Sequence, residues 1–283
     1  MRKFKDFIII FYAYFSALCV VFVVFTLFYF IISRSNLSIE FLTTNPKGLI
    51  LGQEGGVKDA IIGSLLLMLL AMLISGILGI SCAIYRVVYC KNRFIKTALN
   101  FIIRAIGSVP SILIGLFVYG FFIVSLNIPK SLLTASIALA MMVFAFVELS
   151  VEKNILEIDK NAIKDSYSLG VDKTYMVLNL LLPLIKNSII STLILAGSYA
   201  IGATAPLLLT GAVFMASPSG LLSPIMALPF HLHMLLNQSV SSTNAYSSAL
   251  VLMLILVILH IISALISQKI GEKIVKRFIY KKS

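Results

Sequence analysis

Charge is scarce in this sequence, and acidic charge scarcest of all. Of its 283 residues only 12% are Asp, Glu, Lys or Arg, against 60% apolar, giving a mean hydropathy of +1.04. A soluble domain ordinarily carries about 25% charged and about 45–50% apolar residues. A compact soluble enzyme and a disordered acidic tail are therefore excluded. Cysteine is equally sparse: Cys19, Cys82 and Cys90 show no CxxC spacing. They form no disulfide-stapled framework and read as small hydrophobes in helices. No GxxxxGK[ST], no HExxH and no repeat of 20–50 residues is present, so neither a nucleotide-binding module nor a zinc-protease centre is expected. With no His/Asp/Glu group at ligand spacing near a membrane face, an integral membrane enzyme has nothing to carry it.

What the chain does have is long stretches without charge. Crossing about 30 Å of hydrocarbon takes roughly 20 helical residues. Four uncharged stretches stand out: Phe7–Ser33, Ala60–Tyr85, Ala105–Pro129 and a shorter one, Ser131–Val147. From Asn187 to Gln268 there is no Asp, Glu, Lys or Arg, too long a run for one span. A polar, Pro-rich segment around Ser217–Asn244 divides it into a fifth span, Ser188–Phe214, an outside loop and a sixth span, Tyr246–Ser267. The expectation is an all-α integral membrane protein with six transmembrane helices, forming a single domain over residues 1–283. The first stretch is much longer than the apolar core of a signal peptide and no small-residue cleavage site follows, so it is read as a retained span.

The cations are placed asymmetrically. The formal charge is +12, from 23 Lys and Arg against 11 Asp and Glu. All but Arg34, Lys47, Lys58 and Lys130 fall on the N-terminus, the second–third connection, the fourth–fifth connection or the C-terminus. In a six-span arrangement these four segments share one side of the membrane. Excess Lys/Arg marks cytoplasmic loops, so both termini are expected in the cytoplasm, and the basic balance is a membrane-face lining rather than a nucleic-acid patch.

Between spans four and five, Glu148–Lys186 interleaves six acids with five lysines, as a solvated cytoplasmic surface would. Lys160–Leu169 reads as a short helix with Ala162, Ser166 and Leu169 on one face. Gly170 is placed to end it, Asp172 or Thr174 to cap a new helix, and Pro183 to kink or restart the chain before span five. A short rigid helix in that position suits docking of a cytoplasmic partner. The alternative is an ordinary connecting loop.

Leu169–Gly170, followed by Leu182–Pro183 and a span, resembles the cytoplasmic coupling segment of ABC-importer permeases. Further stretches resemble the PstA family of phosphate-importer permease subunits: Gly55–Leu65 (GGVKDAIIGSL), Ala83–Tyr85 (AIY), Val109–Ile112 (VPSI) with Gly115–Phe117 (GLF), Gly202–Thr210 (GATAPLLLT) and Ser223–Pro229 (SPIMALP). The similarity covers about Gly55 to Ser267, and the Ala-Pro-Leu-Leu-Leu-Thr string distinguishes this family from its PstC sister. The chain departs where the family has Glu-Ala-Ala, here Lys164-Asp165-Ser166. It departs again at a buried Arg and Glu in span five, here Tyr199 and Ala203, and near the end of span four, where Ala145 and Leu149 replace Pro and Arg. It resembles a diverged member.

The resemblance implies a type I ABC-importer permease architecture that does no covalent chemistry and binds no cofactor of its own, ATP and Mg being held by a partner ATPase. It also implies the partners: a PstC-like second permease, a PstB-like ATPase dimer in the cytoplasm, a PstS-like external phosphate-binding protein and membrane lipid, with no nucleic acid. Lys164, Asp165, Ser166, Leu169, Gly170 and Pro183 would then serve ATPase coupling. Anion desolvation is costly, and spans five and six carry no charge, so hydroxyls and backbone amides at helix breaks are the remaining donors. Candidate path residues are Ser108, Pro110 and Ser111 in span three and Tyr199, Gly202 and Thr204 in span five. Structural readings stand beside these: Pro110 as a simple bend, Tyr199 as a packing residue, and Arg104 as a positive-inside anchor. His231 and His233 read as surface histidines of the outside loop, and Gly63, Ser64, Gly76, Gly79, Gly197 and Gly202 as sites of close helix packing. Transport of another anion, or a stand-alone channel or secondary carrier, are the alternative functions.

Overall fold

A backbone in hydrocarbon must satisfy its hydrogen bonds within its own segment, which leaves helices as the form for long apolar runs. The computed structural model describes residues 2–47, 54–159, 163, 165, 166, 168–237 and 241–280, and these are overwhelmingly helical. Helix α1 is Arg2–Arg34 and is followed by the short α2, Ile39–Thr43. Two-residue strands β1 (Pro46–Lys47) and β2 (Glu54–Gly55) pair antiparallel. Helix α3, Lys58–Ile84, widens into a π turn at Tyr85–Tyr89. Helix α4 is Arg93–Ser108; α5 is Ser111–Val118 and widens over Tyr119–Ser125. Helix α6 is Leu132–Leu156. The short α7, Lys173–Met176, leads through a π turn, Val177–Leu181, into α8, Leu182–Gly202. Then come α9 (Ala205–Thr210), α10 (Leu228–Asn237) and α11 (Ser242–Tyr280).

Among the described residues five helical stretches are long and apolar enough to cross a bilayer, and α4 with α5 makes a sixth only as a pair bent by 101°. The expected third span, Ala105–Pro129, is thus two pieces meeting at Val109–Pro110. Pro110 lacks an N–H and holds extended backbone before α5, so the helix cannot run through. The expected fourth span, α6, does not stop at Val147 but continues to Leu156, because Glu148 and Glu152 find a cation inside the protein.

Helices α3, α6 and α8 form the centre. Leu67 and Ala71 of α3, Leu139, Val143 and Val147 of α6 and Ala196 and Ala200 of α8 share one buried cluster. Small residues set the approach: a Cβ on Gly79 would lie 2.9 Å from Val147 Cγ1, and one on Gly76 3.0 Å from Leu193 Cδ2. Gly197 similarly faces Met68 and Met72, whereas Gly202 has open space around it and is no packing site. Helix α11 packs on α8 through Ser191 and Ser263, whose hydroxyls are 2.8 Å apart. Helix α1 lies outermost and meets α11, with Phe30 and Tyr246 in edge contact at 5.7 Å.

The expected outside loop is partly core. Ile225, Met226 and Leu228 are buried, and Ser64 Oγ of α3 accepts a hydrogen bond from Leu228 N–H at 2.8 Å. An uninterrupted apolar string, Ile225–Leu228 followed by Phe230, folds this segment back into the bundle because exposing it would leave a large apolar surface wet.

Candidate translocation and coupling sites

Two helix breaks carry the candidate path residues. At the first, Ser108 Oγ donates to Ala105 O at 2.8 Å, and the first intrahelical bond of α5 runs from Leu113 N–H to Pro110 O at 2.9 Å. The amides of Ser111 and Ile112 precede that bond, at the positive end of the helix. At the second, α8 stops at Gly202, Ala203 is extended (φ −82°, ψ 118°), and Thr204 starts α9, with Pro206 in its first turn.

The breaks are brought together. A Cβ on Gly115 of α5 would lie 2.7 Å from Pro206 Cα of α9, so the two short helices touch backbone to backbone. Beyond them, a Cβ on Gly107 would sit 3.0 Å from Ala145 Cβ, and the Tyr199 ring lies 5.5 Å from that of Phe146. Both breaks therefore flank one level of α6, at Ala145–Phe146. Ser108 and Pro110 are exposed, Ser111 and Thr204 half-buried, and Tyr199 is 63% exposed. Thr210 O, at the end of α9, accepts from Thr134 Oγ1 at 2.7 Å and from Ser131 N–H at 3.2 Å, anchoring that short helix to the start of α6.

On the coupling side, Ile163, Asp165, Ser166 and Ser168 are helical, while Lys160 and Lys164 lie outside the described residues. Leu169 N–H bonds Asp165 O at 3.0 Å, Val171 N–H bonds Ser166 O at 3.1 Å, and Gly170 has φ +72°. This is the left-handed glycine stop of a Schellman motif. Leu169 beside it is 82% exposed. Asp172 caps α7, accepting from Thr174 N–H at 2.9 Å, and that amide holds its carboxyl below the usual range. Pro183 does not restart the chain: the helix runs on through it. The π turn just before it places Leu182 N–H on Val177 O, one residue further back than in an α-helix, and Lys173–Gly202 runs through as one helix.

Sequence reasoning missed an ionic cluster. Arg86, read as a loop cation, is 1% exposed, and Glu148, read as part of a solvated surface, is 0% exposed. Arg86 Nε lies 2.9 Å from Glu148 Oε1, and its terminal nitrogens bond Glu148 Oε2 at 3.1 Å, Asn100 Oδ1 at 3.0 Å and Glu152. Arg104, though exposed, donates through Nε to the same Asn100 oxygen at 3.0 Å. Helices α3, α4 and α6 are thereby tied at one end of the bundle. The available signal was the four-residue spacing of Glu148 and Glu152, which puts both carboxylates on one face.

At the opposite end, His231 is buried rather than on the surface. Its ring stacks on Phe214 at 5.4 Å and 4°, and desolvation lowers its pKa from 6.5 to about 4. Ser217 Oγ donates to Asp59 Oδ2 at 2.6 Å, closing the following loop onto the start of α3. No group of three or more His, Cys, Asp or Glu able to hold a metal occurs among the described residues.

The family described as binding-protein-dependent transport system inner membrane component matches residues 75–276. The probable phosphate transport system permease protein PstA of Methanocaldococcus jannaschii is 30% identical over 204 residues, 71% of this chain and 72% of that protein. The phosphate transport system permease protein PstA of Yersinia pestis is 33% identical over 176 residues, 62% of this chain and 59% of that one. Among solved structures, an inward-facing form of the MetNI methionine ABC transporter superposes with TM-score 0.61 at 16% identity, over 75% of this chain and 94% of that one. The fold is therefore that of an ABC-importer membrane subunit.

Proposed function

Because the chain belongs to the binding-protein-dependent transport system inner membrane component family, we propose that it is a permease subunit of an ATP-driven importer of inorganic phosphate. It sits in the inner membrane as a multi-pass protein with both termini in the cytoplasm, an orientation that the cation distribution favours. It works with a second permease subunit, two cytoplasmic ATPases and an external phosphate-binding protein, and performs no bond chemistry itself; ATP and Mg are held by the ATPases. The PstA relatives support phosphate as the cargo.

The observation that carries the reading is the meeting of two uncharged helix breaks at Gly115 and Pro206. A phosphate leaving water needs donors throughout its passage. The amides of Ser111 and Ile112 and the hydroxyls of Ser111, Tyr199 and Thr204 supply them along one level of α6, while the Ser108 hydroxyl is spent on Ala105 O. Such donors bind without the tight hold of a buried cation, which favours release. The exposed sides of both breaks face where a second permease subunit would complete the path. On the cytoplasmic side, exposed Leu169 and the glycine stop at Gly170 form a knob for the ATPase.

The test is ATP-dependent uptake of labelled phosphate by the reconstituted complex, competed with sulfate and phosphonate. Uptake blocked by unlabelled phosphate and insensitive to sulfate is expected. Competition by sulfate but not phosphate overturns the cargo assignment, and ATP-independent flux through the chain alone overturns the importer reading in favour of a channel or carrier.

A further inference from the structure

Helix α4 is divided lengthwise. Arg93, Lys96, Thr97, Asn100 and Arg104 fall on one side of the helix, and Phe94, Ile95, Ala98, Phe101 and Ile102 on the other. Of this helix only Ile103, at the seam against α6, is buried, while Phe94 is 80% and Phe101 73% exposed. An amphipathic helix turned 101° from the span that follows has the geometry of one lying in the membrane interface. Against its polar side opens a cleft of about 290 Å³ lined by Arg86, Arg93, Lys96, Thr97, Asn100 and Glu152. Arg86 is already matched to Glu148 and Glu152, whereas Arg93 and Lys96 enter no ion pair among the described residues. No acidic residue in the first turn of α4 offsets them.

We infer that this cleft binds the phosphodiester headgroup of an anionic phospholipid from the cytoplasmic leaflet, with the apolar side of α4 seated among its acyl chains. Two features favour a lipid over a free phosphate. Phe94 and Phe101 place an acyl-binding surface on the same helix as the cations, which a free ion does not use. The Glu152 carboxylate on the cleft wall disfavours a dianion, and a phosphodiester carries a single charge. Basic pockets beside spans on the cytoplasmic side are suited to such headgroups. The inference rests on the orientation proposed above and not on the cargo, so a failed phosphate-uptake assay leaves it standing.

The experiment is native mass spectrometry of the full chain, exchanged into mild detergent with equimolar phosphatidylglycerol and phosphatidylcholine. The wild type is expected to retain phosphatidylglycerol preferentially, and the Arg93→Gln/Lys96→Gln variant to lose that retention by on the order of tenfold. Both side chains are exposed, so unfolding temperature should not move. Lys91→Gln, exposed but outside the cleft lining, should retain the lipid as the wild type does. Equal retention of the two lipids, an unaffected double variant, or an equal loss in Lys91→Gln overturns the site. Displacement of phosphatidylglycerol by millimolar inorganic phosphate overturns the lipid assignment. Retention of phosphatidylglycerol by the wild type in the presence of that phosphate supports it, even if the double variant fails to fold.

Discussion

Replacing Arg86 with Met should destabilise the protein severely, and by an amount set by what it leaves behind. Arg86 and Glu148 are 1% and 0% exposed, and the guanidinium is the cation facing both Glu148 and Glu152. Met fills most of the volume, so little of the loss is packing. Glu148 would be left as a buried carboxylate without a counter-charge, a situation that costs about 3–5 kcal/mol. Glu148→Gln should cost roughly 1–2 kcal/mol, because Arg86 keeps Glu152 and a hydrogen-bonding neighbour. Combining the two removes the orphan charge, so Arg86→Met/Glu148→Gln should be more stable than Arg86→Met, with a coupling on the order of 2 kcal/mol. The sequence contains no Trp, so equilibrium unfolding in mixed micelles is best followed by far-UV circular dichroism. Arg86→Met within about 1 kcal/mol of wild type, or a double variant no more stable than that single one, would refute the reasoning.

His231 titrates near 4 when folded and 6.5 when free, so the unfolded chain binds the extra proton between these values. Stability should therefore be full above about pH 6.5 and fall by up to ~3 kcal/mol as pH drops towards 4; His231→Phe should flatten that slope in a pH series of unfolding curves. Gly63→Ala would drive a Cβ into the Met226 carbonyl oxygen, backbone that cannot yield. It should cost roughly 3 kcal/mol in the same assay, whereas Gly202→Ala meets open space and should stay within about 0.5 kcal/mol. Deleting residues 160–171 should abolish co-purification of the ATPase while leaving the helical circular dichroism nearly unchanged; an intact complex would sink the coupling role.

The class of fold was legible because apolar runs longer than about 20 residues have one outcome in lipid. The glycines at 76, 79 and 197 were legible for the same kind of reason: small residues matter in apolar helices chiefly where another helix approaches; Gly63 instead meets the Met226 carbonyl of the loop before α10. The misreadings share a different cause. Arg86 and Glu148 stand 62 positions apart and each sits among other charges, so nothing local distinguishes a buried pair from two solvated ends. His231 lies in a stretch bounded by prolines and serines, and its burial goes with the stack on Phe214, 17 positions away. Pro183 implies a break only if the preceding turn is α-helical, and the π turn at Val177–Leu181 removes that premise. The elbow at Val109–Pro110 was visible as a proline, but its angle depends on how α4 packs against α6.

That elbow has a consequence for membrane thickness. Helix α5 with its widened end covers Ser111–Ser125, and at 1.5 Å per residue this length spans only about 22 Å. The hydrocarbon slab is about 30 Å thick. The shortfall falls on the bilayer, which must thin beside this subunit by several ångströms or leave α4 drawn below the headgroups. Either way the protein carries a built-in hydrophobic mismatch on one flank, and its activity should depend on acyl-chain length, with shorter-chain lipids matching that flank better.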